Sequence, residues 1–118
     1  MAVERAERGH PVAKYLITAS YSQSGITGVF KEGGSARVKA IEGMLGAMGG
    51  SLECFYYAFG ASDCYLIVDL PDNVTAAALA AAVGASGAVA RYDTVVLLTP
   101  ADIDAAAKVA VDYRPPGS

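Results

Sequence analysis

Apolar residues along this chain change their period several times, and each change marks an element. From Lys14 to Tyr21 they alternate, with Tyr15, Ile17, Ala19 and Tyr21 on one face and Leu16, Thr18 and Ser20 on the other, which predicts a strand. Ile26, Val29 and Phe30 then fall at helical spacing and predict a short helix over Ser24 to Lys31, interrupted by Glu32-Gly33-Gly34. Ser35 is the expected N-cap of a second helical stretch, because Val38, Ile41, Leu45 and Met48 recur every three or four residues until Gly49-Gly50. Ser51–Ala58 and Cys64–Leu70 read as strands around a turn, and Pro71 ends the second of them. Asp72 can cap an Ala-rich helix from Asn73 to about Ala85, and Val89–Leu98 is a fourth strand. Thr99-Pro100-Ala101-Asp102 opens a last helix, with a capping hydroxyl, proline in the first turn and a carboxylate near the positive end of the dipole.

The resulting order is an α+β, ferredoxin-like β-α-β-β-α-β plan with a four-stranded antiparallel sheet and an extra C-terminal helix. Residues 13–112 form its single domain, between a polar N-terminal tail over residues 1–12 and a C-terminal tail over residues 113–118. The hairpin carries a further message. A turn over Gly60 to Asp63 sets Phe59 opposite Cys64, Tyr57 opposite Leu66, Phe55 opposite Val68 and Cys54 opposite Asp69. Leu52, Cys54, Tyr56, Ala58, Tyr65 and Ile67 then share the other face, so both faces are apolar or aromatic. Crossover helices cover one face only, and a second copy of the chain is expected to cover the other.

Composition narrows the partners. The 118 residues are 53% hydrophobic and 18% charged, with a formal charge of −3 at pH 7 from 9 Lys+Arg against 12 Asp+Glu. A chain of this mass buries about two-thirds of its unfolded surface in one core. No basic block follows phosphates, so nucleic acid is not an expected partner, and no apolar run is long enough to span a membrane. The charged start, Met1-Ala2-Val3-Glu4-Arg5, lacks the apolar stretch of a signal peptide, which makes the cytoplasm the expected location. Two cysteines, Cys54 and Cys64, and one histidine, His10, are too few for a set of zinc ligands, and neither a metal nor a cofactor is implied.

Candidate chemistry is sparse. Among carboxylates, Asp72 is better explained as a helix cap and Asp63 as a turn residue, while Asp69 stands in a strand on an apolar face and is more readily paired with Lys14 or Arg91 than used for proton transfer. Gly25, Gly28, Gly33 and Gly34 match no phosphate-binding pattern. Lys31 and Arg37 flank the helix break and can meet a carboxylate or phosphate, although solvated structural roles explain them better. Tyr15, Tyr21, Tyr56, Tyr57, Tyr65 and Tyr92 offer hydroxyls to a ligand, or buried area to an interface.

The run Tyr21-Ser22-Gln23-Ser24-Gly25, Lys31-Glu32, Arg37, Gly49-Gly50 before Phe55-Tyr56, Gly60-Ala61-Ser62-Asp63, Pro71-Asp72 and Leu98-Thr99 resembles the GYD-domain family over about Lys14 to Asp104. The chain departs from the family's Gly-Tyr-Asp element by carrying Ser62 where the tyrosine is expected. The resemblance implies a protomer of the dimeric α/β-barrel superfamily, in which two sheets pack face to face, and implies no particular reaction. Three functions follow as expectations. The first is a small homo-oligomeric protein holding an apolar or aromatic ligand in a sheet-lined cavity, with Tyr21, Lys31, Arg37, Tyr56 and Tyr65 as candidate contacts. The second is a cofactor-independent enzyme of monooxygenase or isomerase type, with Asp63, Asp69 or Tyr56 moving a proton. The third is a structural subunit of an assembly.

Overall fold

The computed structural model describes residues 12–118, so the expected N-terminal tail lies, but for its last residue, outside the described residues, and His10 lies outside them entirely. Four strands, β1 (Ala13–Tyr21), β2 (Ser51–Tyr57), β3 (Cys64–Leu70) and β4 (Val89–Leu97), form one antiparallel sheet in the order β2-β3-β1-β4. Helices α1 (Gln23–Glu32) and α2 (Gly34–Ala47) cross from β1 to β2, and α3 (Asn73–Ala85) crosses from β3 to β4. A short α4 (Pro100–Ala106) follows β4. The α+β, ferredoxin-like architecture is therefore the one the periodicity predicts.

Local chemistry places the boundaries. The Ser22 hydroxyl accepts the Gly25 N–H at 3.1 Å and starts α1, and the Asp72 carboxylate accepts the Thr75 N–H at 2.8 Å and starts α3. The Thr75 hydroxyl also donates to Asp72, and these bonds hold the Asp72 carboxyl below the usual carboxylate range. The N-cap of α2 lies two residues before the expected Ser35, on Gly33 at φ 101°, where no side chain supplies a cap. At α4 the Thr99 side chain and Asp102 close a reciprocal capping box.

The core lies between the sheet and the three crossover helices. Tyr15, Ile17 and Ala19 of β1 and Cys64, Leu66, Val68 and Leu70 of β3 are buried in one cluster with Leu45 of α2 and Ala76 and Leu79 of α3, and Val29 is the buried residue of α1. The Tyr15 hydroxyl, at the end of this core, donates to Asn73 Oδ1 at 2.6 Å.

The hairpin register differs from expectation. Tyr57 rather than Phe59 pairs with Cys64, Phe55 with Leu66, and Cys54 with Ile67 rather than Asp69. The connecting loop is six residues long, Ala58 to Asp63, because the Ala58 N–H closes it on the Asp63 carbonyl at 2.7 Å and the Asp63 N–H bonds Ala19 O at 2.8 Å. The slip is two residues, so each side chain keeps its face as far as Cys54. A bulge between Leu52 and Cys54 then turns Leu52 toward the core, opposite Val68, and away from the open face expected for it. Cys54 and Cys64 are both free thiols.

The sheet's other face carries no helix. Leu16, Cys54, Tyr56, Tyr65, Ile67 and Val95 lie along it, with Tyr56 directly opposite Tyr65. Tyr56 is 69% exposed. At one end, Lys14 bonds Asp69 at 2.8 Å and also reaches Glu53; the two hydrogen bonds hold the Lys14 ammonium above its usual range. No helix among the described residues is long and apolar enough to cross a membrane.

Gly25 shows how closely α1 sits on the corner before β4. A Cβ there would stand 1.9 Å from the Ala88 carbonyl oxygen, while Ser22 bonds the same corner through Ala88 O at 2.9 Å and Gly87 O at 2.6 Å. Gly25→Ala is expected to cost about 1–3 kcal/mol of stability through overpacking. A lower midpoint in urea denaturation at unchanged slope checks it; an unchanged midpoint would show that the corner yields freely.

Candidate functional site

Small residues leave room inside this fold. Ala19 and Cys64 pair across the middle of the sheet where larger apolar side chains would fill the core, and Ala19 also faces Tyr92 of β4. Above them α1 presents Gly25 and Gly28, and α3 presents Ala82. A cavity of 490 Å³ results, floored by Ile17, Ala19, Tyr21, Cys64, Leu66 and Tyr92 and walled by Val29, Ile41, Met44, Leu79 and Val83. Its size is that of a small-molecule site, and its lining is mostly apolar with a few polar atoms.

Three of those polar groups sit on the floor. The Tyr92 hydroxyl is buried and makes no hydrogen bond of ordinary geometry among the described residues, with the Thr94 side chain as a polar neighbour that lowers its pKa against the effect of burial. Such a group forgoes the bonds it would make in water, a cost of about 1–3 kcal/mol that a bound acceptor would recover. Burial pushes the Tyr92 phenol up to about 12, and burial, with the neighbouring Cys64, pushes the Tyr21 phenol above its usual range as well. The Cys64 thiol, whose Sγ lies 3.9 Å from the Ala19 carbonyl, is likewise raised by burial. At neutral pH all three stay protonated. In that form the two phenols can donate a hydrogen bond, and the Cys64 thiol, directed at the Ala19 carbonyl, is not a thiolate nucleophile.

Arg37 and Glu32 stand at the rim, paired at 3.3 Å and both partly exposed. Beside them Tyr57 donates to the Gly34 carbonyl at 3.1 Å and stacks at 5.0 Å from Phe55, which fixes the start of α2 over the sheet edge. A second hollow of 590 Å³ runs outside α1, between Ile26 and Phe30 on the helix and Tyr57, Phe59 and Asp63 near the hairpin loop. Among the described residues no group of three or more His, Cys, Asp and Glu could hold a metal ion.

The residues singled out from sequence are dispersed. Tyr21 and Arg37 line the cavity; Lys31 is exposed on α1 and lines neither hollow. Tyr56 and Tyr65 lie on the open face, so the enclosed space of the protomer is on the side of the sheet opposite to them. Asp69 is held by Lys14, and Asp63 accepts the Tyr21 backbone N–H at 2.9 Å, spanning to β1 instead of closing its own turn. Asp63, Asp69 and Tyr56 therefore do not converge on a common point. Of the six tyrosines read from the sequence as possible hydroxyl donors, Tyr21 and Tyr92 line the cavity. Cys64 is the polar cavity group the sequence does not single out, because it reads only as a small apolar residue.

The family's defining loop has a structural task here. Ser62, 3% exposed, accepts from Arg91 Nη2 at 3.0 Å, and the Ala61 carbonyl accepts from the same nitrogen at 2.9 Å. The Gly60-Ala61-Ser62-Asp63 segment is thereby tied to both β1 and β4. A family model, the GYD domain, matches residues 15–107, from the core of β1 to the end of α4. This chain belongs to the GYD-domain family. No curated protein and no solved structure matches the GYD-domain chain.

A phenol whose pKa is raised on folding is neutral in the native state, and the stability it contributes is lost as pH climbs from its ordinary 10.0 through its folded value near 12. Spectrophotometric titration at the phenolate band is expected to show a late-ionising class of tyrosines, accompanied by loss of stability. Tyr92→Phe should shrink that late class by one group; an unaltered titration would place the ring in water.

Proposed function

We propose that this GYD-domain protein is a small homo-oligomeric binding protein whose helix-side cavity holds an apolar or aromatic molecule bearing one hydrogen-bond acceptor. The observation that carries the reading is the buried, unpartnered Tyr92 hydroxyl on the floor of an otherwise apolar 490 Å³ space. Tyr21 offers a second donor nearby, and the Arg37–Glu32 pair stands where a ligand's more polar end would meet solvent. The open face of the sheet supports the oligomer, since Leu16, Tyr56, Tyr65, Ile67 and Val95 form a contiguous apolar surface of the kind subunits cover.

Binding is tested with a panel of aromatic ketones and carboxylates and their hydrocarbon counterparts, read by thermal shift and by tyrosine fluorescence in this Trp-free chain. Acceptor-bearing members are expected to bind, and Tyr92→Phe should weaken them by about tenfold while leaving the hydrocarbons unchanged. Val83→Phe, which fills the space, should abolish binding by all of them while the native far-UV spectrum persists. Absence of any shift across the panel would refute the reading. The oligomer is tested separately: Ile67→Asp on the open face should reduce the solution mass to one protomer, and an undiminished mass would exclude that face as the interface.

A further inference from the structure

After β4 the chain leaves the body of the fold. Every residue from Leu98 to Ser118 is exposed, including Leu98 at 62%, Val111 at 77% and Tyr113 at 69%. This stretch is nonetheless locally well specified, because the Thr99–Asp102 capping box begins α4 and two turn bonds, Lys108 N–H to Ala105 O and Val109 N–H to Ala106 O, end it. The residues that follow alternate as a strand does. Val109, Val111 and Tyr113 fall on one side and Lys108, Ala110 and Asp112 on the other, before Arg114-Pro115-Pro116 forbids continuation. The backbone of Ala110 to Arg114 belongs to no helix or strand and makes no backbone hydrogen bond among the described residues.

We infer that Val109–Arg114 is a fifth strand supplied in trans, pairing with a free sheet edge of a second copy and laying Val109, Val111 and Tyr113 against that copy's apolar open face. Both halves of the contact are on this chain. The sheet order β2-β3-β1-β4 leaves β2 and β4 with one unpaired edge each, and a row of unpaired N–H and C=O groups is a template for an added strand. Six extended residues reach about 20 Å, close to the length of the seven-residue β2. The open face also carries an excess of negative charge where Lys14 sits between Glu53 and Asp69, which favours the flanking Lys108 and Arg114. In the chain itself α4 intervenes one residue after Thr99 and carries the segment away from its own sheet. The inference rests on the homo-oligomeric part of the proposed function and deepens it, by naming a segment that holds the copies together.

The full chain is compared with Val111→Pro, which removes the central N–H of the segment, and with a chain ended after Leu98. Val111→Pro removes no hydrogen bond of the protomer, and the shorter chain loses exposed α4 but no residue of the core, so both variants should keep the cooperative thermal unfolding of the parent. Val111→Pro is expected to raise the dissociation constant of the oligomer by about tenfold or more in analytical ultracentrifugation. Hydrogen exchange should show the amides of residues 109–114 protected in the full-length oligomer, and protected less on dilution to the monomer. Free exchange of these amides in an intact oligomer, or an unchanged dissociation constant in both variants, would overturn the strand and leave the open-face interface standing. A parent chain that is monomeric at micromolar concentration would overturn both.

Discussion

A β-sheet has two faces, and this chain brings packed helices to one of them. Everything else about the molecule follows from how that imbalance is handled. On the covered side Tyr15, Ile17, Val68 and Leu70 are sealed by Leu45 and Leu79, and the hydrophobic effect supplies the cohesion. On the other side Leu16, Ile67, Tyr56 and Tyr65 are left to water or to another chain. The amphipathic pattern of the crossover helices dictates the first outcome, and the apolar character of the second face sets the terms of association.

The cavity has an origin in the same layer. Helices held about 10 Å above a sheet need large side chains to fill the gap. Here the pair Ala19 and Cys64 lies beneath Gly25 and Gly28, so the space is left open. Gly25 is required where it stands by its approach to Ala88, whereas a Cβ at Gly28 would meet nothing within 4 Å. One glycine thus sets the position of α1, and the other only leaves volume. Protonated phenols at the floor then give the apolar space its direction, with an unused donor on Tyr92 beside Tyr21.

Much of the fold was legible because it depends on local periodicity. Tyr15, Ile17 and Ala19 alternate visibly, Ile41 and Leu45 recur at helical spacing, and Ser22 and Asp72 are recognisable by type as caps. The hairpin register was less accessible, since a six-residue loop closed by Ala58 and Asp63 and a bulge between Leu52 and Cys54 leave no periodic trace. The cavity was legible only in part. Tyr21 and Arg37 drew notice as tyrosine and cation, yet Cys64 and Tyr92 become partners of Ala19 only through pairings that join distant parts of the sequence. Their burial depends on what α1 and α3 lack, and an absence of bulk has no sequence signature of its own. The exposure of Phe30 at 81% was equally hidden, because it shares the helical spacing of buried Val29.

The two ends of the sheet are fastened by different chemistry. At the Tyr21 end, Arg91 on Ala61 and Ser62, Asp63 on Tyr21, and Ser20 on Ala61 lace the hairpin loop across three strands with hydrogen bonds to main-chain groups. At the Lys14 end, the fastening is ionic, through Glu53 and Asp69. In molar salt the screening length falls to about 3 Å, which weakens exposed ion pairs and leaves short hydrogen bonds to backbone carbonyls nearly untouched. In brine the scaffold would fray from the Lys14 end first, so its least durable border is decided by the ionic medium and not by temperature alone.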